Sequence, residues 1–115
     1  VTPEQTASAL LKRHALRLGA LSRTAAEARS KVEAGIHQAL ARRLITRAWL
    51  IGSLAHGVFG EGSDADVVVE GLARSRLVEL ENLLLPLPVE LDLLELEELP
   101  EGFRASVVAQ GAPLT

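Results

Sequence analysis

The apolar pattern of this chain changes character near residue 45, and that change restricts the fold more than any other feature. Up to that point apolar residues recur at helical spacing. Ala7, Leu10, Leu11 and Leu18 form one stripe, and Ala25, Ala28, Val32, Ile36, Ala39 and Leu40 form a second, as in amphipathic helices. Beyond it, apolar residues come in short continuous runs. Ala48-Trp49-Leu50-Ile51 is stopped by Gly52, and Val67-Val68-Val69 sits inside the segment Asp64 to Glu70. Short uninterrupted runs bounded by turn residues read as strands buried on both faces, and such strands need helices as cover. The expected class is α+β (α/β), with a small mixed sheet of three or four strands flanked by helices and extended at the N-terminus by helices.

Local signals place the boundaries. Thr2-Pro3-Glu4-Gln5 reads as a capped helix start, and Gly19 ends that helix. A second helix starts at Ser22 or Thr24 and runs to about Leu44. Gly35 lies inside it, where glycine costs up to about 1 kcal/mol relative to alanine; it therefore marks a close helix contact or a bend. Residues 53–59 fit a short helix and 60–63 a loop. Residues 64–70 read as the second strand and 73–84 as a helix ended by Pro86 and Pro88. Val89 to Leu94 is the third strand, and 101–110 a last helix ended by Gly111. At 115 residues the chain is expected to be one domain, with a helical part at 1–44 and a core at 45–112.

Composition excludes several classes. With no cysteine, disulfide frameworks and thiolate metal sites are out. No apolar run approaches the roughly 18 residues of a membrane span. Residues 1–20 mix Glu4, Lys12, Arg13 and Arg17 into their apolar positions, unlike a signal peptide. A cytoplasmic location is the expectation. The net charge of −3 conceals an asymmetry: residues 1–50 carry nine Lys/Arg against three Glu, and residues 51–115 three Arg against twelve Asp/Glu. That division suggests a basic face and an acidic site on one small body.

The acidic half contains the constellation with chemical meaning. Asp64 and Asp66 stand two apart at the head of a strand, so both point to one face with Cα atoms roughly 6.5–7 Å apart. Two carboxylates that close repel each other and call for a cation. Oxygen ligands without His or Cys suit a hard ion, Mg²⁺ or Mn²⁺. Asp92 lies between Leu91 and Leu93 in the next strand, and at a strand spacing of about 4.8 Å it can reach the same ion. Glu90 is the rival for that third position; Asp92 is preferred because it sits deeper in the apolar run. Gly52-Ser53 ends the first strand just before a helix. A glycine turn there lets a phosphate approach free N–H groups at a helix N-terminus, and the Ser53 hydroxyl adds a donor. A phosphate cradle beside metal-binding carboxylates is the equipment of phosphoryl or nucleotidyl transfer.

Gly52-Ser53, ten residues, Asp64-Ala65-Asp66, and then Asp92 within Leu91-Asp92-Leu93-Leu94 resemble the minimal nucleotidyltransferase (MNT) family of the polymerase-beta-like nucleotidyltransferase superfamily. The resemblance spans about residues 45–112. It implies the nucleotidyltransferase fold, with Gly52 and Ser53 contacting nucleotide phosphates, Asp64 and Asp66 holding metal, and Asp92 completing the catalytic set. It implies Mg²⁺ (or Mn²⁺) as cofactor and ATP as substrate. Many members carry Arg where this chain has His56, whose imidazole is mostly neutral at pH 7. A core this small leaves little surface for an acceptor pocket, so the acceptor is expected on another macromolecule. Family members of this size are commonly antitoxins of HEPN-domain toxins. The resemblance therefore implies transfer of AMP to a hydroxyl of such a toxin, a tyrosine in known members, within a hetero-oligomer. The alternatives are an antitoxin of the same fold that acts by occlusion alone, and a small-molecule nucleotidyltransferase.

The remaining residues of interest read as structural. His14 and His37 lie on helices without metal-ligand partners, Trp49 reads as core, and Arg42-Arg43-Arg47 as a solvated helix end. With three aromatic residues in the chain, base-stacking platforms and direct nucleic-acid binding are not expected, and no base-reading group stands out.

Overall fold

The computed structural model describes residues 23–52 and 64–115. The expected N-terminal helix and the short helix at 53–59 lie outside the described residues. The first described element, helix α1, covers residues 23–41. Its stripe Ala28, Val32, Ile36 and Ala39 is completely buried, as the helical spacing requires. The helix stops at 41 instead of near Leu44 because Arg43 turns into the left-handed region, at φ 58°. The Arg43 N–H donates to the carbonyl of Leu40 at 3.1 Å and the Leu44 N–H to that of Ala39 at 2.9 Å. These paired bonds close the helix end, and Leu44 folds back into the core.

Four strands form one mixed sheet in the order β3-β2-β1-β4. Strand β1 (Arg47–Ile51) runs antiparallel to β2 (Ala65–Glu70), and β2 runs parallel to β3 (Leu91–Glu95). The fourth strand, β4 (Ala112–Leu114), pairs antiparallel with β1. Helix α2 (Leu77–Leu84) follows a 3-10 turn at Arg74–Arg76 and links β2 to β3. Helix α3 (Glu101–Gln110) follows a second 3-10 turn at Leu96–Glu98 and leads into β4. Among the described residues no helix is long and apolar enough to cross a membrane.

Two expectations change. The third strand begins at Leu91, not Val89: Leu91 pairs with Ala65, the first residue of β2, and the ladder starts with that pair. The fourth strand has no β-branched residue and carries Pro113; proline donates no ladder bond and is tolerated there because β4 is an edge strand.

The two faces of the sheet are covered differently. One carries Ala48, Leu50, Ala65, Val67, Val69 and Leu114 and packs against the apolar stripes of α1 and α2, including Leu80 and Leu84. The other carries Trp49 and Val68 and packs against Leu96 and against Val107 of α3. Val67, Val68 and Val69 are all fully buried, so the three-valine run has cover on both sides. Trp49 is core, only 4% exposed.

The end of the sheet away from Gly52 is fastened by polar contacts. Arg47 belongs to β1, not to a helix end. Its Nε and Nη2 donate to the two carboxylate oxygens of Glu70 at 2.7 and 3.0 Å, and its guanidinium lies 4.9 Å from the centroid of the Trp49 ring. The Gly71 N–H donates to Glu97 at 2.7 Å.

Gly35 is a close contact, not a bend. A Cβ built there would lie 2.5 Å from the Leu83 carbonyl oxygen and 2.8 Å from Leu84 Cδ2, so α1 and α2 touch through the glycine. Gly35→Ala is expected to destabilise the fold by about 1–3 kcal/mol through overpacking, outweighing the gain of up to about 1 kcal/mol in helix propensity. Urea denaturation measures the difference, and a neutral or stabilising result would contradict the contact. Arg43→Gly should instead stabilise by about 1 kcal/mol, by removing a side chain from a left-handed position, read by the same titration.

Candidate active site

The strand register assembles the site. Ile51 of β1 pairs with Asp66 of β2, and Asp66 pairs with Asp92 of β3. Directly paired residues point to the same face, so Ile51, Asp66 and Asp92 form one row across three strands. The next row on that face is Trp49, Val68 and Leu94, a dry apolar floor. The carboxylates thus stand at the end of the sheet where the covered face opens to solvent. Asp66 is half-buried, whereas Asp92 and Asp64 are exposed. Asp64 stands one residue before β2.

Asp92, not Glu90, stands opposite Asp66. Glu90 precedes β3, its carbonyl accepts the Ala65 N–H at 2.8 Å, and it contributes to a cleft against α2 with Leu77, Glu81 and Leu85. Residue 90 is outside the strand, so the strand alternation that would align Glu90 with Asp92 does not reach it.

Gly52 follows directly, with φ +73°, a left-handed conformation that glycine adopts without strain. A Cβ at this position would sit 2.6 Å from Asp66 Oδ2. The missing side chain is what allows the turn and the carboxylate to occupy adjacent space. Ser53 lies outside the described residues, as does His56.

Burial raises the Asp66 carboxyl above its ordinary value, and the charges of Asp92 and then Asp64 push it further in the same direction. Asp92 and Asp64 are therefore both near enough to bear on Asp66. Their donor set is all oxygen and collects negative charge, which suits a hard divalent cation such as Mg²⁺. Among the described residues, no group of three or more acidic or imidazole side chains already closes on one ion position.

A second feature adjoins Gly52. A cleft of about 260 Å³ runs between α3 and the end of β1, lined by Ile51, Gly52, Phe103, Ser106, Val107, Gln110 and Gly111. Phe103, Ser106 and Gln110 belong to no motif in the sequence. Their i, i+3, i+7 spacing along α3 was the available signal, but without the packing direction of the helix it reads as an ordinary exposed stripe.

The raised Asp66 carboxyl has a consequence for stability. A group whose folded pKa lies above its unfolded value stabilises the fold most below the unfolded value, near pH 4 for aspartate, and loses that contribution as pH rises through the folded value. Asp66→Asn is therefore expected to raise the melting temperature at pH 7 and to flatten the decline between pH 4 and pH 7. Thermal melts across that range test it; an unchanged or lower midpoint for the variant at pH 7 would count against the electrostatic account.

Comparison with known proteins agrees with this geometry. The chain matches the nucleotidyltransferase domain family over residues 34–114. Comparison with curated proteins gives no match. Among solved structures it is similar to a chain from a crystal structure of a toxin-antitoxin with AMP-PNP, at 27% identity and a TM-score of 0.57, with 72% of each chain covered. The family match extends from α1 to the last residue of β4 and includes the Asp66–Asp92 row, and on that extent this chain belongs to the nucleotidyltransferase domain family.

Proposed function

We propose that this protein is a divalent-metal-dependent nucleotidyltransferase that moves AMP from ATP to a hydroxyl group of a partner toxin and thereby acts as its antitoxin. The observation that carries the reading is the pairing of Asp66 with Asp92 beside a glycine turn that leaves no Cβ between backbone and carboxylate. The similarity to a toxin-antitoxin structure with AMP-PNP supports the partner class and the nucleotide class. A HEPN-type toxin and a tyrosine acceptor follow from the resemblance of the motif set to MNT proteins.

In this reading Gly52 and Ser53 hold the phosphates through backbone N–H groups and a hydroxyl. Asp64, Asp66 and Asp92 hold Mg²⁺ or Mn²⁺, which when bound neutralises phosphate charge and polarises the reacting phosphoryl group. The acceptor oxygen forms a bond to the α-phosphorus, the bond from that phosphorus to the bridging oxygen of pyrophosphate breaks, and pyrophosphate leaves with the electron pair. Asp92, exposed at the end of the row, takes the acceptor proton in this reading.

The test is transfer of α-labelled AMP from ATP to a co-purified or co-expressed cognate toxin. The Asp64→Ala/Asp66→Ala double variant is expected to lose transfer by at least about 10²-fold, and chelation of divalent cations to abolish it. Toxin that stays silenced by the double variant without labelling would favour an antitoxin acting by occlusion. Undiminished labelling would remove the carboxylates from the mechanism.

A further inference from the structure

We propose that the cleft between α3 and the end of β1 is the nucleobase site, with Phe103 stacking on the base and Ser106 and Gln110 hydrogen-bonding its edge. The inference rests on the reading of Gly52 and the carboxylate row as the phosphate end of a nucleotide site.

Three observations carry it. The first is continuity: Gly52 lines the cleft and also lies against the Asp66 carboxylate, so one residue separates the two regions. A nucleotide with its phosphates at the Gly52 turn has the cleft directly beside it. The second is charge. Among the described residues, the lining (Ile51, Gly52, Phe103, Ser106, Val107, Gln110 and Gly111) includes no ionisable side chain, whereas three carboxylates gather on the other side of Gly52. An uncharged aromatic heterocycle suits the first environment, and a metal-bound phosphate chain the second.

The third is the mounting of the helix. Val107 is the buried residue of α3 and packs with Trp49 and Val68. At the helix end a Cβ on Gly111 would meet the Val107 carbonyl oxygen at 2.6 Å, and Ile51 Cγ2 and Trp49 Cβ at 3.2 Å. The helix is therefore pinned against β1 at this end. Phe103, Ser106 and Gln110 share the side of α3 that lines the cleft, yet Phe103 remains 45% exposed. An aromatic ring held at the mouth of a neutral cleft, with a hydroxyl and an amide on the following turns, offers a stacking face and edge partners to a flat base.

The experiment compares two ligands on the full chain in the presence of Mg²⁺, using calorimetric titration with AMP-PNP and with inorganic tripolyphosphate. The wild type is expected to bind AMP-PNP more tightly than tripolyphosphate. Phe103→Ala should weaken AMP-PNP binding between about 5- and 150-fold and leave tripolyphosphate binding unchanged, with Phe103→Tyr retaining most of the affinity. Gln110→Ala should weaken AMP-PNP alone. Thermal melts of the variants should match the wild type, since both side chains are exposed. Unaltered AMP-PNP affinity in Phe103→Ala overturns the base site, including the case in which that variant loses only toxin binding because the cleft receives an apolar side chain of the partner. Equal binding of the two ligands by the wild type overturns it as well. Failure of the wild type to bind either ligand would instead remove the nucleotidyltransferase reading on which the base site depends.

Discussion

Asp66 is held in place by burial in which its own carboxylate has no part. Val67, Val68 and Val69 are covered on both faces of the sheet, so β2 cannot slide by one residue without exchanging its two apolar faces. With β2 in that register, Asp66 falls opposite Ile51 on one side and Asp92 on the other. The parallel partner β3 contributes Leu93 to one face and Leu94 to the other, which leaves Asp92 at the open end of the face it shares with Asp66. The geometry of the charged row is thus a by-product of apolar packing behind it.

The opposite end of the sheet holds the same register by other means. Arg47 and Glu70 pair across β1 and β2 with two hydrogen bonds, and Arg47 also lies against the Trp49 ring. The guanidinium lowers the Glu70 carboxyl below its ordinary value. An ion pair this exposed contributes little to stability, but its paired geometry favours one alignment. The two ends of the β1–β2 ladder then differ in kind: matched charge at one, gathered like charge at the other. The second arrangement opposes folding and is tolerated because the core between the ends is large relative to it.

Much of this was legible in the sequence because it depends on local spacing. The change from helical period to short apolar runs separated α1 from the strands, and the buried stripe of α1 followed from its spacing. Asp64, Asp66 and Asp92 were identifiable from position within or beside strands, and the cost of Gly35 inside a helix marked it as a contact or a bend, between which only the packing of α2 decides. Other features were not legible because they are set by neighbours distant in the chain. The strand β4 lacks any β signal and exists because β1 presents an unpaired edge to Ala112–Leu114. Arg47 looked like the end of a helix until Arg43 turned the chain at φ 58°. Asp92 is preferred to Glu90 on its depth in the apolar run, but only the register of β3 sets it opposite Asp66.

The sequence by itself determined the class of fold, the identity of the acidic residues and the presence of a glycine turn beside them, since these follow from side-chain chemistry and short-range periodicity. Only the tertiary structure decided that Asp66 faces Asp92 across a parallel pair, that Gly52 leaves room for the Asp66 carboxylate, and that α3 brings Phe103, Ser106 and Gln110 to the same turn. Those relations join residues about 14 to 58 positions apart in the chain. Sequence spacing carries no information about them, because they are settled by which apolar faces bury one another.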